Sequence, residues 1–417
     1  MKAEKIRAKR LGLALFMLSL GLFAQDYSKI KQRFNSYLNY HGGLDAVVKI
    51  SAESITFNKN GKADYVLPSA QWLKMGQLIK RLSADSLDGL YNGTISLEKV
   101  RGGNTEKKNS LKGVRVMIDP GHIAGNMKMA RIEQKYLHFT KENHPELKQD
   151  SLDISEGVLT WQTASILKKM LEEKGAVVAL TRRENSTSFG CTYEDWLKKD
   201  KKKTLDSLLK AGRLTKQKHQ ALLKMNSSKF FVEFFKDHEL QQRARVANAF
   251  APDLTVIIHY NVNEKNVPWI KPSNKNFCMA FIPGCIIADN LQTSAGKMNL
   301  LRLLLTDDVE QSEKVSALLV NELSKNLSIP IAKAADASYL DEHCLVTESP
   351  GVFCRNLALC RLVKGPLLYG ECLYQDCEDE CYELIKNTET SYGVQTNKRV
   401  VLAAQSFFNA VIKYYSK

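Results

Sequence analysis

Apolar residues along the chain fall into short unbroken runs separated by longer stretches of helical spacing. The runs Val114 to Ile118, Ala176 to Leu180, Leu254 to Ile258, Cys278 to Ile282 and Pro366 to Tyr369 have the length of strands buried on both faces. Leu159 to Glu173, Glu239 to Phe250, Val309 to Leu327 and Lys398 to Tyr415 repeat apolar positions every three or four residues, the period of a helix with one buried face. Strands alternating with helices predict an α/β domain: a three-layer α/β/α sandwich with a mostly parallel central sheet.

Residues 25–110 stand apart from that alternation. Helical patterns over Tyr27 to Tyr40 and Gln71 to Leu82 flank a β-like run at Ser54 to Phe57, and Arg101 to Ser110 is a Gly- and Lys-rich linker. The expected organisation is a small N-terminal segment of unassigned role over 25–110, then one domain over 111–417. Within that domain, about 184–238 is a Lys-rich helical stretch that an α/β core does not need, and it reads as an insertion.

Composition bounds the function classes. With 44% hydrophobic and 25% charged residues, the chain is neither disordered nor a multi-span membrane protein. Its first 24 residues are read as a secretory signal peptide. Lys2, Lys5, Arg7, Lys9 and Arg10 precede an apolar run from Leu11 to Phe23, too short for a comfortable span, and small Ala24 follows. Cleavage leaves no integral membrane domain, which predicts an exported protein, periplasmic or associated with the cell envelope. The formal charge of +15 calls for a polyanion, and outside the cytoplasm that means wall or membrane polymers. No helix-turn-helix, zinc-finger or RNP pattern points to nucleic acid. Much of the charge sits between Lys198 and Lys224, as a solvated helical face or an attractor of anionic wall polymer. Nine cysteines leave at least one unpaired, and Cys372, Cys377 and Cys381 match no zinc-ribbon spacing, so burial or disulfides are expected.

Two strands end in an imidazole. Val116-Met117-Ile118-Asp119-Pro120-Gly121-His122 passes from an apolar strand through a Pro-Gly turn, and Leu254 to Ile258 leads into His259-Tyr260-Asn261. Open α/β sheets bind ligands at the carboxyl ends of their strands, so both rings are expected at one edge, where a divalent cation needs a third donor. Glu156 opens a helix behind Ser155 or Asp153 as cap, and Glu133 lies nearer His122 in sequence; both are candidates.

Several of these segments, with others, together resemble a known family. The set is Val116 to His122, Glu156 nineteen positions before Gly175, Val177 to Thr181-Arg182, Leu240-Gln241-Gln242-Arg243 through Ala247-Asn248, and Asp253 to Asn261. From about Lys112 to the C terminus the chain resembles the zinc-dependent N-acetylmuramoyl-L-alanine amidases of the third amidase family. The resemblance implies one Zn²⁺ per chain on His122, Glu156 and His259, the nineteen-residue interval favouring Glu156 over Glu133. It implies a catalytic glutamate after a late apolar strand, which in Pro366 to Tyr374 is Glu371, with Glu348 as a rival base. It implies peptidoglycan as substrate, with cleavage of the amide between the lactyl group of N-acetylmuramic acid and L-alanine in cell-wall turnover or daughter-cell separation. An activator protein is an expected further partner. Helical insertions in this family sometimes occlude the zinc, so the Lys-rich stretch is expected either to be autoinhibitory or to bind wall.

Two departures matter. The interval from His122 to Glu156 is longer than usual and predicts a lid or substrate loop. Glu371 is followed by Cys372-Leu373-Tyr374-Gln375-Asp376-Cys377 where the family has a pattern like Thr-Gly-Phe-Leu-Ser-Asn.

Three such ligands leave one zinc position for water, whose pKa falls toward about 7, and a neighbouring Glu371 would carry the proton. The predicted chemistry is metal-assisted amide hydrolysis. Asn261 is expected to orient the strand end or a substrate group, and Arg243 to anchor the helix before His259. Two other readings stay open at this level: a wall-binding or regulatory protein that has lost turnover, and a zinc peptidase acting on stem peptides.

Overall fold

A computed structural model describes residues 27–80, 82, 84–97, 110–266 and 271–416. The expected signal peptide over 1–24 and most of the linker lie outside the described residues.

The N-terminal segment folds as an antiparallel sheet of β1 (Val48–Ile50), β2 (Ser54–Lys59) and β3 (Lys62–Pro68). β2 and β3 are joined by Asn60-Gly61, both at positive φ (52° and 75°), the requirement of a tight two-residue hairpin. Phe57, Leu67 and, on the Trp72–Ile79 helix, Trp72, Met75, Leu78 and Ile79 are buried in the same cluster as Val116 and Ile118 further along the chain. The segment therefore shares its core with the larger unit. Charge reinforces the seam: Arg33 pairs with Glu310 at 2.6 Å, and Lys80 with buried Asp308 at 2.5 Å.

From residue 115 the chain forms β4 (Arg115–Pro120), a hairpin of β5 (Tyr136–Thr140) and β6 (Ser151–Ser155), then β7 (Val177–Leu180), β8 (Leu254–Asn261), β9 (Met279–Pro283), β10 (Cys344–Val346), β11 (Val352–Arg355) and β12 (Leu367–Tyr374). Seven of them make one sheet in the order β10-β11-β9-β12-β8-β4-β7. β7, β4, β8 and β12 are mutually parallel, β9 runs against β12, β11 follows β9, and β10 reverses again at the edge.

The pleat sends alternate side chains to opposite layers. Val116, Ile118, Val256, Ile258 and Leu368 face the layer containing the Glu156–Glu173, Asp308–Leu327 and Lys398–Tyr415 helices. Met117, Ile257, Leu367 and Tyr369 face the Lys236–Phe250 helix instead. The architecture is the three-layer α/β arrangement expected. Gly370 permits a close approach of helices to the sheet, since a Cβ there would meet Leu319 at 2.6 Å and Phe407 at 2.7 Å.

β8 and β12 run past their apolar stretches to Asn261 and Tyr374, because the ladder between them continues through the polar pair Glu371 and His259. The long interval after His122 is a helix, Met127–Glu133, and the β5–β6 hairpin, whose Leu137, Phe139, Leu152 and Ile154 are buried in the main core. The Lys-rich stretch comprises helices Tyr193–Lys199, Lys201–Lys210, Lys216–Lys224 and Ser227–Phe230, then a π-helical turn, Phe231–Phe235, that continues into Lys236–Phe250. Trp196, Leu205, Leu222, Phe230 and Phe235 make a second small core that packs on Ile123, one residue past His122. Lys198, Lys199, Lys202, Lys203 and Lys210 stay exposed. All nine cysteines are free thiols, eight of them buried. Among the described residues, no helix is long and apolar enough to cross a membrane.

Candidate metal centre

The turn after β4 is held from both sides. His122 has a φ of 59°, a left-handed backbone that a side-chain-bearing residue adopts only when its surroundings impose it. Buried Arg182 donates to the carbonyls of Pro120 (3.0 Å) and Gly121 (3.1 Å). Buried Arg243 donates to the carbonyls of Pro120 (2.8 Å) and His122 (2.6 Å), and Thr160 donates to Gly121 at 2.6 Å. The Asp119 carboxylate accepts from Arg243 at 3.2 Å and from Thr181. Every carbonyl of the Pro-Gly-His turn is thus fixed by a side chain from a different element. Arg243 anchors more than its own helix: it ties that helix to the turn.

On this scaffold His122, Glu156 and His259 converge, with one donor atom from each lying within 4.8 Å of the others. Glu156 Oε2 is 3.0 Å from His122 Nε2, and Oε1 is 2.9 Å from His259 Nδ1. The imidazole rings stand edge to face at 4.9 Å, and Tyr369 stacks flat on His259 with an interplanar angle of 3°. Burial pushes His122 down to about 4, while the two imidazoles, by charge and hydrogen bonding, overcome burial and hold Glu156 well below the usual carboxylate range. Two imidazoles and one anionic carboxylate are a donor set that suits a divalent cation such as zinc. Ser155 occupies the cap position of the Glu156 helix without a capping hydrogen bond from its hydroxyl.

The other candidates sort by position. Glu133 comes within 3.8 Å of His122 Nδ1, but its carboxylate accepts from the amides of Ile123 (2.9 Å) and Ala124 (2.8 Å), which brace the residues after the turn. Glu371 is the register partner of His259 across the β12–β8 ladder, so both side chains leave the same face of the sheet. Burial pushes its carboxyl up to about 7, with His259 opposing the rise and Glu156 adding to it. Glu348 is exposed in the turn between β10 and β11, two ladders beyond β12. Asn261 donates to Tyr339 Oη at 2.8 Å and accepts from the Val262 amide, which orients the end of β8 without touching the three donors. Cys372, Cys377 and Cys381 form no metal cluster among the described residues.

Arg182, Thr181 and Tyr369 belong to this site, and sequence reasoning assigned none of them a role. Thr181-Arg182 closing a strand beside the His122 strand was the available signal.

A family profile described as N-acetylmuramoyl-L-alanine amidase matches residues 116–391, a span that takes in His122, Glu156, His259 and Glu371. No curated protein sequence matches the chain. Among solved structures, the CwlD amidase from Clostridioides difficile, in complex with the GerS lipoprotein, is similar at 14% identity and a TM-score of 0.40, over 73% of this chain and 99% of that one. Ami1 from Mycobacterium abscessus is similar at 12% identity and 0.38, over 73% and 99%. An N-acetylmuramoyl-L-alanine amidase from Clostridium difficile 630 follows at 13% and 0.37, over 73% and 97%.

Proposed function

The chain belongs to the N-acetylmuramoyl-L-alanine amidase family, and from that premise we propose that it hydrolyses the amide between the lactyl group of N-acetylmuramic acid and L-alanine in peptidoglycan. His122, Glu156 and His259 hold one zinc ion per chain, and Glu371 is the catalytic residue that moves the proton. The observation that carries this reading is the convergence of those three donors at one sheet edge, with Glu371 in register beside His259.

A cation held there supplies a Lewis acid for the scissile carbonyl and makes water nucleophilic near neutral pH. Glu371, poised near neutrality by its burial, takes a proton from the attacking water and delivers it to the departing alanine nitrogen. One C–N bond is broken, leaving a lactyl carboxylate and a free stem-peptide amine. Arg182 and Arg243 keep His122 in its left-handed conformation throughout. The basic leader sequence supports export to the periplasm or cell envelope, and wall turnover or daughter-cell separation, with an activator protein as partner, is the setting we propose.

Metal analysis and muropeptide mass spectrometry on one preparation test the reading. About one zinc per chain and release of stem peptides with a free L-alanine amine are expected. A folded chain that binds no metal would refute the zinc centre, and cleavage within the stem would make the protein a peptidase.

A further inference from the structure

Glu133 stands where a carboxylate is doubly disfavoured. It is the last residue of the Met127–Glu133 helix, the end at which the helix dipole opposes negative charge, and it is only 9% exposed. Its helix is firmly held. Asn126 caps it by accepting from Met129 N at 3.0 Å, Met129 and Ile132 pack on the second small core, and Gln134, at a left-handed φ of 57°, ends it. The helix lies in the long interval between His122 and Glu156, where the chain departs from the family pattern, so what Glu133 does is a property of this chain.

Both carboxylate oxygens close on the His122 turn. Oε1 accepts from the Ile123 amide at 2.9 Å, and Oε2 accepts from the Ile123 amide at 3.0 Å and the Ala124 amide at 2.8 Å. An oxygen that accepts from an N–H presents its lone pairs, and Oε1 lies 3.8 Å from His122 Nδ1. The other ring nitrogen, Nε2, lies 3.0 Å from Glu156 Oε2. One imidazole therefore has a carboxylate at each end, Glu156 inside the donor cluster and Glu133 outside it. Bracing the turn accounts for the two amides, but Oε2 alone reaches both of them. The acceptor placed beside the ring is left for another role.

A neutral imidazole carries its proton on one nitrogen and its donor lone pair on the other, and an acceptor beside one nitrogen draws the proton there. Resting on the zinc centre proposed above, we propose that Glu133 is a positioning residue for the metal: its Oε1 draws the His122 proton to Nδ1 and leaves Nε2 as the donor that joins Glu156 and His259. His259 presents its Nδ1 to Glu156 instead, so the two rings of the centre need opposite tautomers, and Glu133 selects the one His122 requires. Carboxylates behind ligating histidines fix the ring and strengthen the donor, and removing them weakens metal affinity by about 10- to 100-fold.

The test is Glu133→Gln in the full chain. A glutamine whose oxygen takes the Oε2 position keeps both amide hydrogen bonds and turns an NH₂ donor toward His122 Nδ1, so it spares the brace and reverses the polarity beside the ring. Competition with a zinc chelator is expected to show zinc held about 10- to 100-fold more weakly than in wild type, and ¹⁵N NMR of the zinc-loaded wild type to show His122 protonated at Nδ1 and ligated at Nε2. Glu133→Ala loses brace and acceptor together, and is expected to lower the melting temperature of the metal-free protein as well. A zinc affinity of Glu133→Gln within twofold of wild type makes Glu133 a brace only and overturns the proposal. So does a wild-type spectrum with zinc on His122 Nδ1, a measurement that needs no variant to fold. Wild-type protein that binds no zinc overturns the metal centre and the positioning role with it.

Discussion

Gly121→Ala is the most exacting perturbation of the centre, because it adds one methyl group where the backbone itself has no objection. Gly121 does not have a positive φ, so alanine brings no backbone strain. Its Cβ, however, would lie 2.4 Å from His259 Cε1, 2.6 Å from Nε2 and 2.7 Å from Nδ1. Ordinary contacts between such atoms are about 3.5–4.0 Å, so ring and turn must part by roughly 1 Å. Neither is free to move. Tyr369 stacks against the His259 ring, Glu156 holds its Nδ1, and the Gly121 carbonyl is fixed by Thr160 and Arg182. Overpacking of this kind costs about 1–3 kcal/mol. If the ring stays, the cost appears as a lower unfolding temperature; if it yields, it appears as weaker metal binding, by about five- to 150-fold at 1.4 kcal/mol per tenfold. Competition with a zinc chelator and a thermal melt of the metal-free protein divide the two. A variant whose zinc affinity stays within twofold of wild type and whose melting temperature is unchanged would show that the two residues are not packed as described.

Three further outcomes are expected. Glu371→Gln retains zinc and loses about 10²- to 10⁴-fold in turnover; loss of the metal, or unchanged activity, would assign Glu371 a different role. Arg243→Met leaves Asp119 and Glu239 as buried carboxylates without their guanidinium, destabilising the fold by about 3–5 kcal/mol in denaturant unfolding, and an added Asp119→Asn recovers part of the loss; no recovery would mean the pair is not the cause. Burial alone would raise the Asp308 carboxyl, but Lys80 at 2.5 Å and Arg302 at 2.7 Å hold it below the ordinary 3.8. Its stabilising contribution is therefore complete above about pH 4 and is lost as pH falls through the lowered value in the folded state. The stability gap between wild type and Asp308→Asn should narrow in acid, and a gap independent of pH refutes the pairing.

The legible parts of the sequence were those whose signal is local. The Lys398–Tyr415 helix was bounded correctly because its apolar positions repeat over eighteen residues and Asn397 caps it by accepting from Val400 N. The β5–β6 hairpin and the edge strands β10 and β11 escaped, since three to five residues carry too little periodicity to stand out. The Ser294–Leu305 helix had a Thr293 cap and an apolar last turn, and could have been found.

What the sequence determined by itself is the chemistry available and the apolar runs that present it: two runs each leading into a histidine, a glutamate opening a helix, and a carboxylate after a late apolar run. Tertiary structure alone decided how those groups are used. Glu133 and Glu156 are both acids near His122, yet one accepts from backbone amides and the other bridges two imidazoles. Arg182 and Arg243, sixty-one residues apart, meet on one three-residue turn. Strand register sets Glu371 beside His259, and the second small core packs on Ile123, one residue past His122. Hydrogen-bond partners and electrostatic neighbours depend on distances through space, and those exist only once the sheet has chosen its order and the helices have closed on its faces.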